Sequence, residues 1–182
     1  MVEQKLRELG IAPLYGEYHP LSPGEIREVE QLVGFSLPDD YKEFISKYGC
    51  AYFADKRVVV RTVEPPPEDL SDSDWLDFAV FFGGCEQYCL VDEIRLVRGR
   101  MPDTVIPIAD DHGGNLFCLG VGGDDRNKVY IWDFHNEPDA QDYLDEGLPV
   151  PDRLMYSNMG LVAHSFTDFI LQMEIRDVEP EE

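Results

Sequence analysis

The densest oxygen chemistry in the sequence belongs to Asp110, Asp111, His112, Asn115, Asp124 and Asp125. A hard cation such as calcium takes six to eight oxygens, so these side chains raise the question of a metal. Their spacing fits no EF-hand loop, and a mixture of Asp, Gly and Asn is also what tight turns require. They are therefore read first as turn residues and second as partner contacts, and no metal is assigned. Cys85-x-x-x-Cys89 has the look of a zinc half-site. Zinc needs four ligands, usually in closely spaced pairs, and Cys50 and Cys118 are single and far apart. The four cysteines are expected as reduced thiols of the core. His19, His112, His135 and His164 could each act as a base, but Ser157 and Ser165 lie in no nucleophile motif. No catalytic residue and no cofactor are assigned, and the chain is not expected to be an enzyme.

What remains is binding chemistry. Thirty-seven acids against 15 bases give a formal net charge of −22. Such a field repels nucleic acid and anionic lipid and draws in basic partners, at some cost in self-repulsion. The acids gather in loops: residues 68–77, residues 137–152 and the turns between 110 and 125. Trp75, flanked by Asp74 and Asp77, is of a side-chain type enriched at binding hot spots. The candidate partner contacts are Asp72, Asp74, Trp75, Asp77, Asp110, Asp111, Asp124, Asp125, Glu137 and Asp139. The expected partner is a basic protein domain, with neither nucleic acid nor membrane involved. Dense carboxylates can mimic a phosphate backbone, and a protein that cleaves nucleic acid must carry Lys and Arg to hold phosphates.

A length of 182 residues suits one domain, and 43% hydrophobic with 12% aromatic residues suffice for a core. The opening MVEQKLRELG has no apolar run of the signal-peptide kind, and no stretch approaches the ~18 apolar residues of a membrane span. A cytoplasmic location is expected. The chain divides into a lead-in at 1–20, a single domain at 21–176 and an acidic tail at 177–182.

The spine of the domain is Thr104–Glu137, where three apolar segments separated by Asp/Gly/Asn loops predict an antiparallel three-stranded meander. Ser22, Pro23 and Glu25 predict a capped helix over 21–34, closed by Gly34. Tyr41, Phe44, Ile45 and Tyr48 recur at helical spacing after Pro38, predicting a second helix and a helical hairpin. Arg57–Val63 is β-branched and predicts a strand. Three prolines and a run of acids make 64–76 a loop. Asp77–Phe82 reads as a buried strand, and Asp92–Arg100 as a short helix capped by Asp92. A helical turn is expected at Tyr143–Leu144. Ser165 and Asp168 begin a last helix with Phe166, Phe169, Ile170 and Met173 on its apolar face. Helices at both ends with antiparallel strands between predict an α+β domain.

The segment LSPGEIREVEQLVGFSLPDDYKEFISKYG resembles the opening of the Smi1/Knr4 family, known more broadly as the SUKH superfamily. The likeness continues through Phe81-Phe82-Gly83, IPIADDHGGNLFCL, KVYIWD and the Ser165-Phe166…Phe169 helix, in the family's order over roughly residues 21–173. The resemblance implies one α+β domain, an antiparallel sheet flanked by helices, with no shared catalytic centre or cofactor. It implies two roles: bacterial members are immunity proteins that neutralise toxins, often nucleases, and fungal members are interaction hubs in cell-wall regulation. A short chain that is nearly all domain favours the first. Residues Phe134–Glu137 and the extended 137–152 loop depart from the family pattern.

Overall fold

Ser22 and Glu25 form the reciprocal cap their spacing predicts. Glu25 N donates to Ser22 Oγ at 3.3 Å, and Ser22 N donates to Glu25 Oε2 at 2.8 Å. Gly34 closes the helix in the left-handed region at φ 80°. The computed structural model describes residues 1–67, 70–71 and 73–176, so the tail at 177–182 lies outside the described residues. In chain order the elements are α1 (Val2–Leu9), β1 (Ile11–Pro13), α2 (Pro23–Val33), α3 (Asp39–Ile45), β2 (Ala51–Phe53), β3 (Arg57–Arg61), β4 (Trp75–Asp77), β5 (Val80–Phe81), α4 (Leu90–Val97), β6 (Val105–Asp110), β7 (Leu116–Gly120), β8 (Val129–Trp132), α5 (Ala140–Asp145), β9 (Met159–Ala163), α6 (Phe166–Leu171) and β10 (Met173–Arg176).

The fold is α+β. Seven strands form one sheet in the order β1-β2-β5-β6-β7-β8-β9, and β10-β3-β4 form a second. The meander β6-β7-β8 is its centre: Asp110 pairs with Leu116, and Leu116 with Trp132. An aromatic seam joins this sheet to the helices. Phe78 and Phe81 lie 4.4 Å apart, Phe44 of α3 lies 4.7 Å from Phe81 and 4.9 Å from Phe166 of α6, and Phe117 lies 5.2 Å from Phe169. Ring pairs at these separations add to the area they bury. Ser165 Oγ accepts from Asp168 N at 2.9 Å and starts α6 where the sequence places it.

Several elements differ from the sequence reading. The lead-in is part of the core: α1 buries Leu6 and Leu9, and β1 pairs with β2. Asp77–Phe82 is not one strand. It turns at Phe78-Ala79 and divides between the two sheets as β4 and β5. Trp75–Asp77 is a strand although it ends a loop of prolines and acids, because β3 supplies its ladder partners. Met173 begins β10 instead of continuing α6. Helix α4 starts at Leu90 with Cys89 as its cap residue, and Asp92 sits in the first turn, where the helix dipole favours an acid.

The prolines have a role of their own. Val63 N and Glu64 N both donate to Leu161 O at 3.0 Å, and Pro65–Pro67 pass against Gly160. They cover the outer edge of β9 with residues that cannot donate to a ladder, which blocks further strand addition there.

The cysteine expectation is corrected at two positions. Cys50 and Cys85 are joined by a disulfide, with Cα atoms 6.2 Å apart, an ordinary disulfide separation. Pairing of Ala51 with Phe81 brings the two ends together. Gly49 and Gly83 permit the approach, since a Cβ on Gly83 would stand 2.5 Å from the Gly49 Cα. Cys118 is a buried free thiol whose pKa burial pushes up, and Cys89 is a half-buried one. Among the described residues no helix is long and apolar enough to cross a membrane.

Candidate protein-binding surface

The acids that crowd the sequence are sorted by the fold into different environments. Because β7 is antiparallel to both neighbours, the β6–β7 turn and the β7–β8 turn lie at opposite ends of it. Asp110 and Asp111 are at one end, Asp124 and Asp125 at the other.

Asp111 builds its turn. Its Oδ1 accepts from Gly113 N at 2.7 Å and Asn115 N at 2.8 Å, and its Oδ2 accepts from Asn115 Nδ2 at 2.8 Å. Asn115 Oδ1 then accepts from Phe134 N at 3.1 Å, fastening this turn to the chain leaving β8. Asp110 is half-buried beside it and accepts from Val80 N at 3.1 Å. Burial, helped by the nearby Asp111 and Glu93 charges, pushes its pKa up to about 7, against opposing hydrogen bonds from the Val80 and Asp110 backbone. At neutral pH this carboxyl is only partly ionised, so it contributes less to the field than the sequence count assigns it.

Asp125 is taken inside. It is 4% exposed, and its carboxylate accepts from Thr104 Oγ1 at 2.5 Å, Tyr156 Oη at 2.7 Å and Tyr130 Oη at 2.9 Å. Burial opposes ionisation here, but the three hydroxyls outweigh it and hold the pKa below the ordinary carboxylate value. Gly120 makes this possible: a Cβ there would stand 1.7 Å from Asp125 O. Asp125, expected from the sequence as a partner contact, is thus buried in the fold and presents almost no surface to a partner. Its carboxylate ties the β7–β8 turn to β8 and to the 154–156 turn. Its neighbour Asp124 is exposed.

On the second sheet, Asp77 is bonded by Arg57, Nε to Oδ1 at 2.7 Å and Nη2 to Oδ2 at 3.1 Å. Asp74 is exposed, with Arg61 4.0 Å away. The Trp75 ring is half-buried, with the Arg176 guanidinium 4.0 Å from its centroid and Arg61 at 6.0 Å. Its π face is thus already occupied by its own domain, as expected for a pinned loop. Asp72 lies outside the described residues.

The third region is the connection from β8 to β9. Glu137 is clamped at its start by Arg100, whose Nη2 and Nε donate to Oε2 at 2.6 and 3.1 Å and whose Nε also reaches Oε1 at 2.9 Å. The same guanidinium lies 5.4 Å from the Trp132 ring and 5.8 Å from Phe134. Bidentate charge-assisted bonds over aromatic faces fix geometry as well as energy. Asp139 is exposed and caps α5, accepting from Gln141 N at 2.8 Å. Of the nine expected contacts that lie among the described residues, the fold thus leaves Asp74, Asp124 and Asp139 exposed, on three separate parts of the molecule. Exposed apolar side chains on this same connection, Leu144, Leu148, Val150 and Met155, escaped the sequence reading. The signal available was their lack of helical or strand periodicity within a stretch already rich in acid.

Comparison with known proteins agrees with the fold. The model of the SMI1 / KNR4 family (SUKH-1) matches residues 20–172. The chain is 29% identical over 188 residues to the SPbeta prophage-derived uncharacterized protein YokK of Bacillus subtilis (strain 168), covering 98% of this chain and 87% of that one. With the capped N-terminal helix, the central meander and the Ser165-capped helix in the family's order, the chain belongs to the SMI1/KNR4 family (SUKH-1).

Proposed function

We propose that this chain is an immunity protein, a non-catalytic binder that neutralises a cognate bacterial toxin by occupying it one to one. The observation that carries the reading is the net charge of −22 on a domain of this family. Among the described residues Asp74, Asp124, Asp139, Asp142, Asp145, Glu146 and Asp152 are exposed, and an excess of acids on this scale sets up a long-range negative field. Such a field raises association rates for a basic partner. A toxin that handles nucleic acid holds phosphates with Lys and Arg, and these are the groups an acidic protein occludes. Apolar contacts then supply most of the affinity, since exposed ion pairs contribute little.

The reading predicts that a gene flanking this one encodes a toxic domain, and the test is co-expression of that domain with this chain; flanking genes without any toxic product would count against the reading. Growth is expected to be restored, and association in vitro is expected to slow steeply as salt rises and the field is screened over ~8–10 Å. Continued killing in the presence of folded protein would refute the immunity reading. Recovery of several host proteins in a pull-down, with no protection from a toxin, would favour an interaction module of the cell-wall-regulator kind.

A further inference from the structure

The connection between Trp132 and Met159 has a rigid base and an unusual crest. Asp133 N donates to Asn158 O at 2.9 Å, and Asn158 Nδ2 donates to Asp133 O at 2.8 Å, so the two ends are stitched together. Arg100 holds Glu137, and Asp125 holds Tyr156, as described above. Between these anchors the backbone satisfies itself: α5 is capped by Asp139, and Leu148 N turns back to Tyr143 O at 2.8 Å. The segment is hydrogen-bonded within itself, yet its apolar side chains are exposed. Leu144 is 58% exposed, Leu148 49%, Met155 40% and Val150 37%. With Phe134, this connection holds five of the eleven large apolar residues exposed among the described ones. Single exposed apolar residues need no explanation, but four within twelve residues of one locally hydrogen-bonded segment do.

Charge decides what could cover them. Asp139, Asp142, Asp145, Glu146 and Asp152 surround these residues in sequence, and among the described residues none of the five has an ion-pair partner. The segment's one base between Pro138 and Tyr156, Arg153, is held 4.2 Å over the Tyr156 ring. A segment in which exposed apolar residues alternate with acids that have no ion-pair partner among the described residues repels nucleic acid and anionic lipid. A second copy meeting it face to face would set these acids against their own images. The complement is a protein groove that is apolar at its floor and lined by Lys and Arg at its rim, the ordinary division between interface core and rim.

We infer that residues 138–155 are the surface through which this chain docks, and that the occupant is an apolar groove rimmed by Lys and Arg on the toxin. The inference rests on the immunity reading above and adds where contact is made. The acids steer the approach and the four apolar side chains hold the complex. The remaining acidic faces, at Asp74 and Asp124, act at a distance only.

The experiment measures binding of the full chain to the toxic domain that the immunity reading predicts in a flanking gene, in wild-type form and in two variants. Leu144→Ser/Leu148→Ser is expected to weaken binding at least tenfold, mainly through faster dissociation. Asp142→Asn/Asp145→Asn/Glu146→Gln is expected to slow association severalfold and flatten its salt dependence. All the altered side chains are exposed, so thermal melting should stay near wild type and separates lost contact from lost fold. Asp74→Asn/Asp124→Asn is the control and should leave dissociation unchanged. If wild type binds and both 138–155 variants bind within twofold of it, the docking surface is elsewhere and the inference is overturned while the immunity reading stands. If wild type itself does not bind, the immunity reading fails and the inference falls with it. If the isolated chain sediments as a dimer that Leu144→Ser/Leu148→Ser dissolves, the crest is covered by a second copy and the inference is also overturned.

Discussion

The β7–β8 turn and the β8–β9 connection are both acidic loops leaving the same strand, and they use their acids in opposite ways. In the turn, Asp125 is drawn inside and accepts three hydroxyl hydrogen bonds, so one carboxylate knits Thr104, Tyr130 and Tyr156 together. In the connection, the acids beyond Glu137 stay outside beside exposed leucines. A carboxylate whose lone pairs are filled by the protein stabilises the fold and presents little to a partner. One left to water does the reverse. Counting acids in a sequence cannot separate the two, since both loops are rich in Asp.

The largest break in this comparison should come from Asp125→Ala. It orphans three half-buried hydroxyls, and we expect a loss of about 2–4 kcal/mol in urea unfolding. A loss under about 1 kcal/mol would mean the turn is held by its backbone alone. Next, Arg100→Ala releases Glu137 and uncovers Trp132 and Phe134. About 1–2 kcal/mol of global stability is expected to go, with hydrogen exchange quickening first over residues 137–156. Equal quickening across the meander would show that the clamp serves the whole sheet instead of the base of the connection.

Asp110 and Asp125 should respond to pH with opposite signs. Asp110 has a folded pKa near 7, above its unfolded value, so its contribution is present below about pH 4 and is lost as pH rises through about 7. Asp125 has a depressed folded pKa, so its contribution is present above the unfolded value and is lost as pH falls through the folded one. Asp110→Asn keeps an acceptor for Val80 N and removes the buried charge. It should raise the melting temperature by about 2–4 °C at pH 8, with the gain fading toward pH 4. A gain that does not change with pH would assign the effect to something other than titration. The smallest effect is expected in the connection itself: Asp142→Asn/Glu146→Gln should change stability by no more than about 0.5 kcal/mol.

The capped helices and the meander are legible in the sequence because each carries its own signal locally. Ser22-Pro23-Glu25 and Ser165-Asp168 are complete within four residues, and the meander's turns separate its strands cleanly. What escapes is what depends on distant partners. Strands β2, β4, β9 and β10 run three to five residues and are strands because a neighbour supplies a ladder. The Cys50–Cys85 bond spans 35 residues and exists only once β2 lies beside β5. The same holds for the surface. Trp75 looks like a loop anchor until Arg176, a hundred residues on, covers its ring. The acids could be found by composition, but which of them face water is decided by the fold.

The central claim is neutralisation by occupation, and a titration of the cognate toxin's activity against added protein tests it most directly. The account predicts that activity falls linearly and is extinguished at one equivalent, with both chains recovered chemically unaltered. Loss of activity at a hundredth of an equivalent, with the toxin or its substrate covalently changed, would contradict it.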